Sequence, residues 1–394
     1  MSPKKINFDK QVDRLGTYCT QWDYVKDRFG ESDLLPFTIS DTDFEVPVEV
    51  MEALKERMNH GVFGYTRWNH TDLKSSITSW YNTRFQTYIN AEDIVYTPSV
   101  MYGISQLIEL LTNKNDGVII QTPAYDAFFK IIQASGRKLI ENSLIYQNEA
   151  YTIDFKDLEN KLAAAHNKVL LLCSPHNPTG RVWSKEELER IVLLCQKHEV
   201  FIISDEIHMD ITRYDNQHIP ITNFDYQHVA IATSGTKTFN FPGLIFSFML
   251  IPNQELREDY LTILKEKHGL SSVSIMGMEA TMAAYNNGSD WVDQLNDYID
   301  DNYEFACDFL QKKLPDIKVV HSQATYLMWL DVSELGIDMS IIQDKLIKEG
   351  KVAIMNGAIY GGNGKEFLRL NIGCSREKLI DGLNRMYRAL KNLE

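Results

Sequence analysis

The chain has 394 residues, of which 44% are apolar and 11% aromatic. This length suits two domains, or one large α/β unit with a smaller appendage, and the composition excludes a disordered or low-complexity protein. A net charge of −14 at pH 7 argues against nucleic-acid binding, because an acidic surface repels phosphate and no basic stripe with interleaved aromatics offsets the repulsion.

The cysteines and the first residues of the chain indicate the cellular compartment in which the protein works. Five scattered cysteines without Cys-x-x-Cys spacing indicate neither a zinc site nor a disulfide framework, so we expect no metal and a reducing environment. Residues 1–7 lead into polar sequence instead of an apolar signal core, and no apolar run reaches membrane-spanning length. We therefore expect a cytoplasmic protein without a membrane partner.

Four short runs, each apolar throughout, predict strands that are covered on both faces. Between the second and third run, Ser184 and Glu187 have the spacing of a capping box and begin a helical pattern. Strand, helix and strand in this order predict a mainly parallel sheet. The four runs are residues 118–121, 169–173, 200–204 and 229–233.

From about Trp291 the pattern changes to a long amphipathic helix followed by two apolar runs, residues 326–330 and 367–371. We expect a long helix near residues 285–312 to join two lobes. The predicted fold class is α/β: a large domain with a mainly parallel central sheet flanked by helices, plus a smaller α+β domain. The predicted divisions are an N-terminal segment packing with the small domain (1–47), the large domain (48–287) and the small C-terminal domain (288–394).

Asp205 and Lys237 each follow one of the apolar runs, and ligands of parallel sheets bind beyond the carboxyl ends of the strands. A desolvated lysine can hold an aldehyde cofactor as a Schiff base, and a carboxylate can keep a pyridine nitrogen protonated. The pair therefore indicates a pyridoxal phosphate site. Either residue alone is more often an ordinary core-edge aspartate or a surface lysine.

Several segments together carry a resemblance to a known family. The chain resembles the fold-type I pyridoxal phosphate enzymes of the aminotransferase class I/II superfamily, and within it the MalY/PatB-like branch of cystathionine β-lyases, or cysteine-S-conjugate β-lyases. The usual methionine between two aspartates of the N-terminal motif is Thr42 here. The carrying segments are residues 22–23, 40–44, 174–183, 204–208, 236–240 and 367–371.

The resemblance assigns roles around the cofactor ring and the substrate. It makes Lys237 the Schiff-base lysine, Asp205 the partner of the ring nitrogen, and Asn177 the donor to the ring 3-hydroxyl oxygen. Tyr125 stacks on the ring, and Arg369 clamps the substrate carboxylate with its planar fork. Lys237, Asp205 and Tyr125 are the expected catalytic residues. Alone, the Asn-Pro-Thr-Gly motif is only a good turn, and Tyr125 a core tyrosine.

The resemblance also implies a phosphate cradle. Val100 and Met101 open a helix whose backbone amides and positive dipole end attract a dianion, and Ser234 and Thr236 add hydroxyl donors. Tyr65 resembles the tyrosine that reaches the phosphate and the substrate from the neighbouring subunit, which implies a homodimer.

Three features modify the pattern. His208 lies where aminotransferases commonly carry a tyrosine, and it is either a satisfied interior histidine or part of the cofactor's surroundings. Ile245 lies where the generic aminotransferase has a phosphate-binding arginine, which weakens the aminotransferase assignment. The glycines between 357 and 364 are read as a flexible connection into the Arg369 strand and not as a phosphate loop.

The expected function is a pyridoxal phosphate-dependent β-lyase that takes a small amino-acid substrate. Lys237 removes the α-proton, a thiol leaves from the β-carbon of cystathionine or a related cysteine S-conjugate, and the remainder hydrolyses to pyruvate and ammonia. Two alternatives stay open: a class I/II aminotransferase with the same residues, and a non-catalytic regulatory protein that binds the cofactor.

Overall fold

The computed structural model describes residues 5–224 and 227–391. Within these residues the strands form a seven-stranded sheet, a five-stranded sheet and a small hairpin. The strands are β1 (Leu35–Phe37), β2 (Ile94–Thr97), β3 (Gly117–Thr122), β4 (Lys138–Ser143), β5 (Ile145–Gln147), β6 (Ala150–Thr152), β7 (Asn167–Cys173), β8 (Phe201–Asp205), β9 (Val229–Thr233), β10 (Ser247–Leu250), β11 (Lys318–Val319), β12 (Leu327–Asp331), β13 (Val352–Asn356) and β14 (Phe367–Asn371).

Helices cover much of the rest of the described chain. Two of them, α8 and α11, continue into single turns of π-helix at Ile263–Lys267 and Leu346–Gly350. The α-helices are α1 (Val25–Phe29), α2 (Val48–His60), α3 (Thr71–Phe85), α4 (Val100–Leu111), α5 (Asp126–Ala134), α6 (Phe155–Leu162), α7 (Lys185–Lys197), α8 (Gln254–Thr262), α9 (Ile275–Asn287), α10 (Ser289–Lys313), α11 (Met339–Lys345) and α12 (Arg376–Leu390).

The large sheet has the strand order β2-β10-β9-β8-β7-β3-β4. Only β10 runs against its neighbours, so the other six strands point the same way. All four predicted apolar runs are strands of this sheet, and all five residues of β9 are buried. The predicted capping box is also present at Ser184 and Glu187, where α7 begins. The sequence prediction of a mainly parallel sheet flanked by helices is therefore confirmed.

The second sheet has the order β1-β13-β14-β12-β11. Apart from the parallel pair β1 and β13, its strands are antiparallel, as predicted for the two runs that became β12 and β14. Because β1 comes from the first 47 residues, the N-terminal segment joins the sheet of the C-terminal part. This pairing is compatible with the predicted division of the chain, whose boundaries stay a prediction.

The long helix expected near residues 285–312 is present as α10 (Ser289–Lys313). The structure has two helices, α9 and α10, which meet at Gly288. A Cβ at Gly288 would lie 2.5 Å from the Ala284 carbonyl oxygen and 2.5 Å from the Phe239 ring. Glycine at this junction therefore leaves the space that the Phe239 ring and the Ala284 carbonyl occupy. None of the described helices is both long and apolar enough to span a bilayer.

Candidate active site

A cavity of about 320 Å³ lies beyond the carboxyl ends of the parallel strands of the large sheet. This is the position that the strand order predicts for a ligand, since parallel strands end at a common edge. Most of the residues predicted for the site line this one cavity, although they come from five separate stretches of the chain. They are Val100, Met101, Tyr125, Asn177, Asp205, His208, Thr236 and Lys237.

Lys237, four residues beyond the end of β9, brings its amine to the cavity. Its Nζ donates a hydrogen bond to the carbonyl oxygen of Ser40. Burial lowers the pKa of Lys237 to about 8, although the negative charges of Asp41 and Asp205 favour the ammonium form. An amine with such a pKa is neutral often enough near pH 8 to act as a nucleophile or a base.

Asp205 is the last residue of β8 and lines the same cavity as Lys237. Its Oδ1 accepts a hydrogen bond of 3.1 Å from the Ile207 amide. Burial, together with the neighbouring carboxylate of Glu206, raises the pKa of Asp205 to about 7, against the Ile207 hydrogen bond and the charge of Lys237. A buried carboxyl group in this condition gains from a cationic or N–H donor in the cavity, which would hold it in the ionised form.

Arg369, in the middle of β14, reaches this region from the other sheet. Its Nη1 donates to Asn177 Oδ1 at 3.1 Å, its Nη2 donates to the Thr38 carbonyl at 2.8 Å, and the guanidinium lies 4.8 Å from the centre of the Tyr360 ring. The side chain is buried and forms no ion pair with a carboxylate in the described part of the chain. A buried cation without a counter-charge is suited to an anionic ligand.

The first turn of α4 forms another wall of the cavity. Ser99 caps the helix, since its Oγ accepts a hydrogen bond from the Tyr102 amide at 3.1 Å. The first intrahelical hydrogen bond is donated by the Gly103 amide, so the amides of Val100 and Met101 have no partner within the helix. The positive end of the helix therefore lies at the cavity. An acidic group such as a phosphate fits such a helix start.

Ser234 and Thr236 behave differently. Thr236 lines the cavity, whereas the hydroxyl of Ser234 donates to the Phe246 carbonyl at 2.6 Å and accepts from the Thr236 amide at 3.2 Å. The structure therefore gives Ser234 a part in shaping the turn before Lys237. Its predicted contact with a phosphate stays a prediction.

His208 and Tyr125 are both at the cavity. Burial, followed by the charges of Lys237 and Arg369, lowers the pKa of His208 to about 3, so the imidazole is neutral at pH 7. Burial raises the pKa of the Tyr125 hydroxyl, which is therefore protonated. The site presents two neutral rings beside a lysine, an arginine and a carboxyl group.

Tyr65 is not at this cavity. It lies in the irregular stretch between α2 and α3, and its side chain is fully exposed to solvent. Its predicted role concerns the site of a second subunit, which a single chain does not test.

Sequence comparison agrees with the geometry. The profile of the family described as aminotransferase class I and II matches residues 32–386. The chain belongs to this family. Protein MalY of Escherichia coli (strain K12) is 45% identical over 98% of this chain and 99% of its own length. Cystathionine beta-lyase PatB of Bacillus subtilis (strain 168) is 38% identical over 98% of this chain and 100% of its own length.

A solved structure of a family member has the same fold. The PLP-bound C-S lyase from Staphylococcus hominis superposes with a TM-score of 0.93, at 32% identity over 98% of both chains. The family assignment and the fold predicted from sequence are both confirmed.

Some residues at the site were missed by sequence reasoning. Ser40 contributes a main-chain carbonyl, which accepts hydrogen bonds from Lys237 and from the Tyr326 hydroxyl at 3.0 Å. Because the contact uses the backbone, no side-chain type could have indicated it. Tyr360, which packs on Arg369, lies within the glycine cluster, between Gly357 and Gly361, and its aromatic side chain was the signal that the sequence offered.

The glycine cluster is a connection, as predicted, but a closely packed one. A Cβ at Gly357 would lie 2.4 Å from the Gly364 carbonyl, and a Cβ at Gly361 would lie 2.6 Å from the Phe129 ring. The glycines are therefore required by close backbone approach. No cluster of three or more His, Cys, Asp or Glu side chains suited to a metal occurs in residues 5–224 and 227–391.

Proposed function

We propose that the chain is a carbon–sulfur β-lyase that uses pyridoxal 5′-phosphate to release a thiol from cystathionine or a related cysteine S-conjugate. One observation carries the proposal: Lys237 and Asp205 line a single cavity, and beside it lies the cation of Arg369, which forms no ion pair within the described residues. The names of relatives at 45% and 38% identity, MalY and cystathionine beta-lyase PatB, support the lyase activity.

The residues present fit this cofactor. Lys237 would hold its aldehyde carbon, Asp205 its ring nitrogen, Asn177 its ring oxygen, and the amides of Val100 and Met101 its phosphate. The raised pKa of Asp205 supports the assignment, because the carboxyl group forms no ion pair within the described residues and a protonated ring nitrogen would supply a cation. When bound, the cofactor accepts the electron pair that is released at the substrate α-carbon.

The chain's own residues then position the substrate and move the proton. Arg369 and Asn177 bind the α-carboxylate, whose negative charge neutralises the buried guanidinium of Arg369. The Nζ of Lys237 in its neutral form accepts the proton from the α-carbon. The bond between the β-carbon and sulfur then breaks, sulfur leaves with the electron pair as a thiolate, and hydrolysis of the released fragment gives pyruvate and ammonia.

The second candidate is an aminotransferase, which would use the same residues. Ile245, eight residues after Lys237, lines the cavity with an apolar side chain at the position where the generic aminotransferase pattern has an arginine. This difference favours the lyase. The two activities differ in the substrates that they consume, because an aminotransferase needs an oxo acid to complete each cycle and a lyase does not.

The test is incubation of the cofactor-loaded protein with L-cystathionine alone. A lyase produces pyruvate and a thiol continuously, in amounts far above the protein concentration. The proposal is contradicted if pyruvate does not accumulate without an added oxo acid, or if adding one is needed for turnover. A panel of S-conjugates, compared by pyruvate release, then identifies the preferred thioether in sulfur amino acid metabolism.

We further propose that the protein is a homodimer in which Tyr65 completes the partner's site. Members of this family are typically dimers. Val62, Phe63 and Tyr65 expose 63%, 56% and 101% of their surface, and a run of exposed apolar side chains is typical of an interface.

Mixing two inactive variants tests the contribution of Tyr65. A hybrid of a Lys237→Ala subunit and a Tyr65→Ala subunit has one intact site if Tyr65 acts across the interface. Random exchange should then restore about a quarter of the wild-type activity. If Tyr65 acts within its own chain, or not at all, mixing restores nothing beyond the activity of the separate variants.

A cytoplasmic location is also part of the proposal. No disulfide joins the five cysteines, all of which lie within the described residues. This is typical of proteins that remain in a reducing compartment.

A further inference from the structure

Residues 38–43, here called the carbonyl strap, cross the site between the two sheets. Five consecutive main-chain carbonyls of this strap, those of residues 38–42, accept hydrogen bonds from side chains instead of pairing in a sheet. The donors are Arg369 to Thr38, Asn371 to Ile39 and Asp41, Lys237 and Tyr326 to Ser40, and Asn240 and Arg14 to Thr42.

Two of these donors are functional groups of the proposed site. The Arg369 guanidinium and the Lys237 amine both take their orientation partly from strap carbonyls. The Asp43 amide donates to the Gly373 carbonyl at 2.9 Å, but the carbonyls of residues 38–42 are held by side chains. The position of the strap therefore depends largely on the side chains that bind it.

Arg14 is the outer anchor. Its Nη2 lies 2.6 Å from Asp41 Oδ2, its Nη1 lies 2.8 Å from Asp43 Oδ1, and Nη1 also donates to the Thr42 carbonyl at 3.0 Å. Burial works against the charge of Arg14, but the two carboxylates outweigh it and raise the pKa of the guanidinium. One planar fork therefore binds three consecutive residues of the strap.

Asp41 depends on Arg14 more than Asp43 does. Asp43 also pairs with Lys378 at 2.6 Å and accepts from Trp22 at 3.1 Å, whereas Arg14 is the one ion-pair partner of Asp41 within the described residues. Asp41 is also the negative charge that most strongly favours the ammonium form of Lys237. Loss of Arg14 would remove the positive charge that partly offsets this carboxylate, so Asp41 would favour the ammonium form of Lys237 more strongly.

We propose that Arg14 is a positioning residue for the amino-acid substrate: it holds the carbonyl strap so that Arg369 and Lys237 face their ligands, and its positive charge partly offsets that of Asp41. This inference rests on the proposed function. Arg14 lies before residue 32, where the match to the family profile begins.

The test compares Arg14→Met and Arg14→Lys with Lys10→Ala as the matched control. Lys10 belongs to the same segment and pairs with Glu45, but both side chains are more than half exposed. Arg14→Met should raise KM for the thioether about 10-fold and change kcat by less than about 3-fold, with the absorbance of the bound cofactor unchanged. Arg14→Lys keeps the charge but not the fork, so its KM should lie between those of Arg14→Met and wild type.

A second readout uses the cofactor-free protein. The rate at which Lys237 captures pyridoxal phosphate is measured against pH, since only the neutral amine reacts. Arg14→Met should move the midpoint of this profile to higher pH than in wild type, because Asp41 then stabilises the ammonium form. A residue that served only general stability would lower the melting temperature without moving this midpoint.

Failure of the inference is distinct from failure of the proposed function. Titration with L-alanine, which has no leaving group at its β-carbon, gives a dissociation constant without elimination, and Arg14→Met should weaken it about 10-fold. A wild type that binds L-alanine but releases no pyruvate from cystathionine refutes the function alone. Unchanged KM, L-alanine affinity and capture midpoint in both Arg14 variants refute the inference, and so does an equal change in Lys10→Ala. If Arg14→Met does not fold, Arg14→Lys decides by the same three measurements.

Discussion

The edge of the large sheet and the carbonyl strap build the same site by opposite means. At the sheet edge, Asn177, Asp205 and Lys237 present side-chain groups directly after buried strands. At the strap, the backbone carbonyls of residues 38–42 receive hydrogen bonds from distant side chains. In the first region the acting groups are side chains, so the residue type matters. In the second region they are backbone carbonyls, so the position of the backbone matters.

This difference predicts how each region responds to substitution. Replacing a sheet-edge residue removes a chemical group, so the rate of the reaction should fall. Replacing a residue that contacts the strap moves a group that remains present, so the affinity for substrate should suffer first.

The largest effect is expected for Lys237→Ala. Without the amine, the protein should lose the visible absorbance of bound pyridoxal phosphate, and turnover should fall by about 10⁴-fold or more, because the base is gone. Spectroscopy and pyruvate release measure the two losses. Lys197→Ala, which removes only a surface ion pair with Glu159, is the control. Normal turnover in Lys237→Ala would refute the assignment of the site.

Asp205→Asn should be the next most severe change. The amide is nearly the same size but carries no negative charge, so it cannot hold a protonated ring nitrogen. We expect kcat to fall about 100-fold to 1,000-fold while the cofactor stays attached to Lys237. Asp308→Asn, at an exposed ion pair, should leave kcat unchanged. A kcat within about 3-fold of wild type would show that the carboxylate is not used.

Arg369→Lys sharpens the comparison because this residue contacts both the strap and Asn177. Lysine keeps the charge but cannot form the two-pronged contact with a carboxylate, so KM should rise about 100-fold, more than kcat falls. Arg385→Lys, at a surface pair with Asp381, is the matched control. An equal KM in wild type and Arg369→Lys would place the substrate carboxylate elsewhere.

The smallest effect is the pH dependence of cofactor capture by the cofactor-free protein. Since burial lowers the pKa of Lys237 to about 8, the capture rate should rise about tenfold per unit below pH 8 and then level off. Asp205, with its pKa raised to about 7, ionises over the same range and raises the lysine pKa, which broadens the curve. Stopped-flow absorbance measures the rate, with N-acetyl-lysine methylamide as the unshifted amine. A midpoint at the ordinary lysine value of 10.5 would contradict a desolvated amine.

Much of the sheet edge was predictable because its signals are local. The runs that became β3, β7, β8 and β9 are apolar throughout, and parallel strands end at one edge, so the residues after them had to converge. The helix start at Val100 was equally readable from Ser99. The long helix near residues 285–312 was predictable too, since α10 lies there, but the separate helix α9 that ends just before it was not predicted.

The sequence alone determined the family, the parallel sheet and the pairing of an amine with a carboxyl group, since each depends on residue type and short spacing. Only the tertiary structure decided that five carbonyls of the strap accept hydrogen bonds from side chains distant in the chain, that Arg14 donates to one of them, and that Ser234 turns its hydroxyl to Phe246. Backbone carbonyls are common to every residue. Their use at a site depends on where segments distant in the chain are packed, and no single stretch of sequence encodes that position.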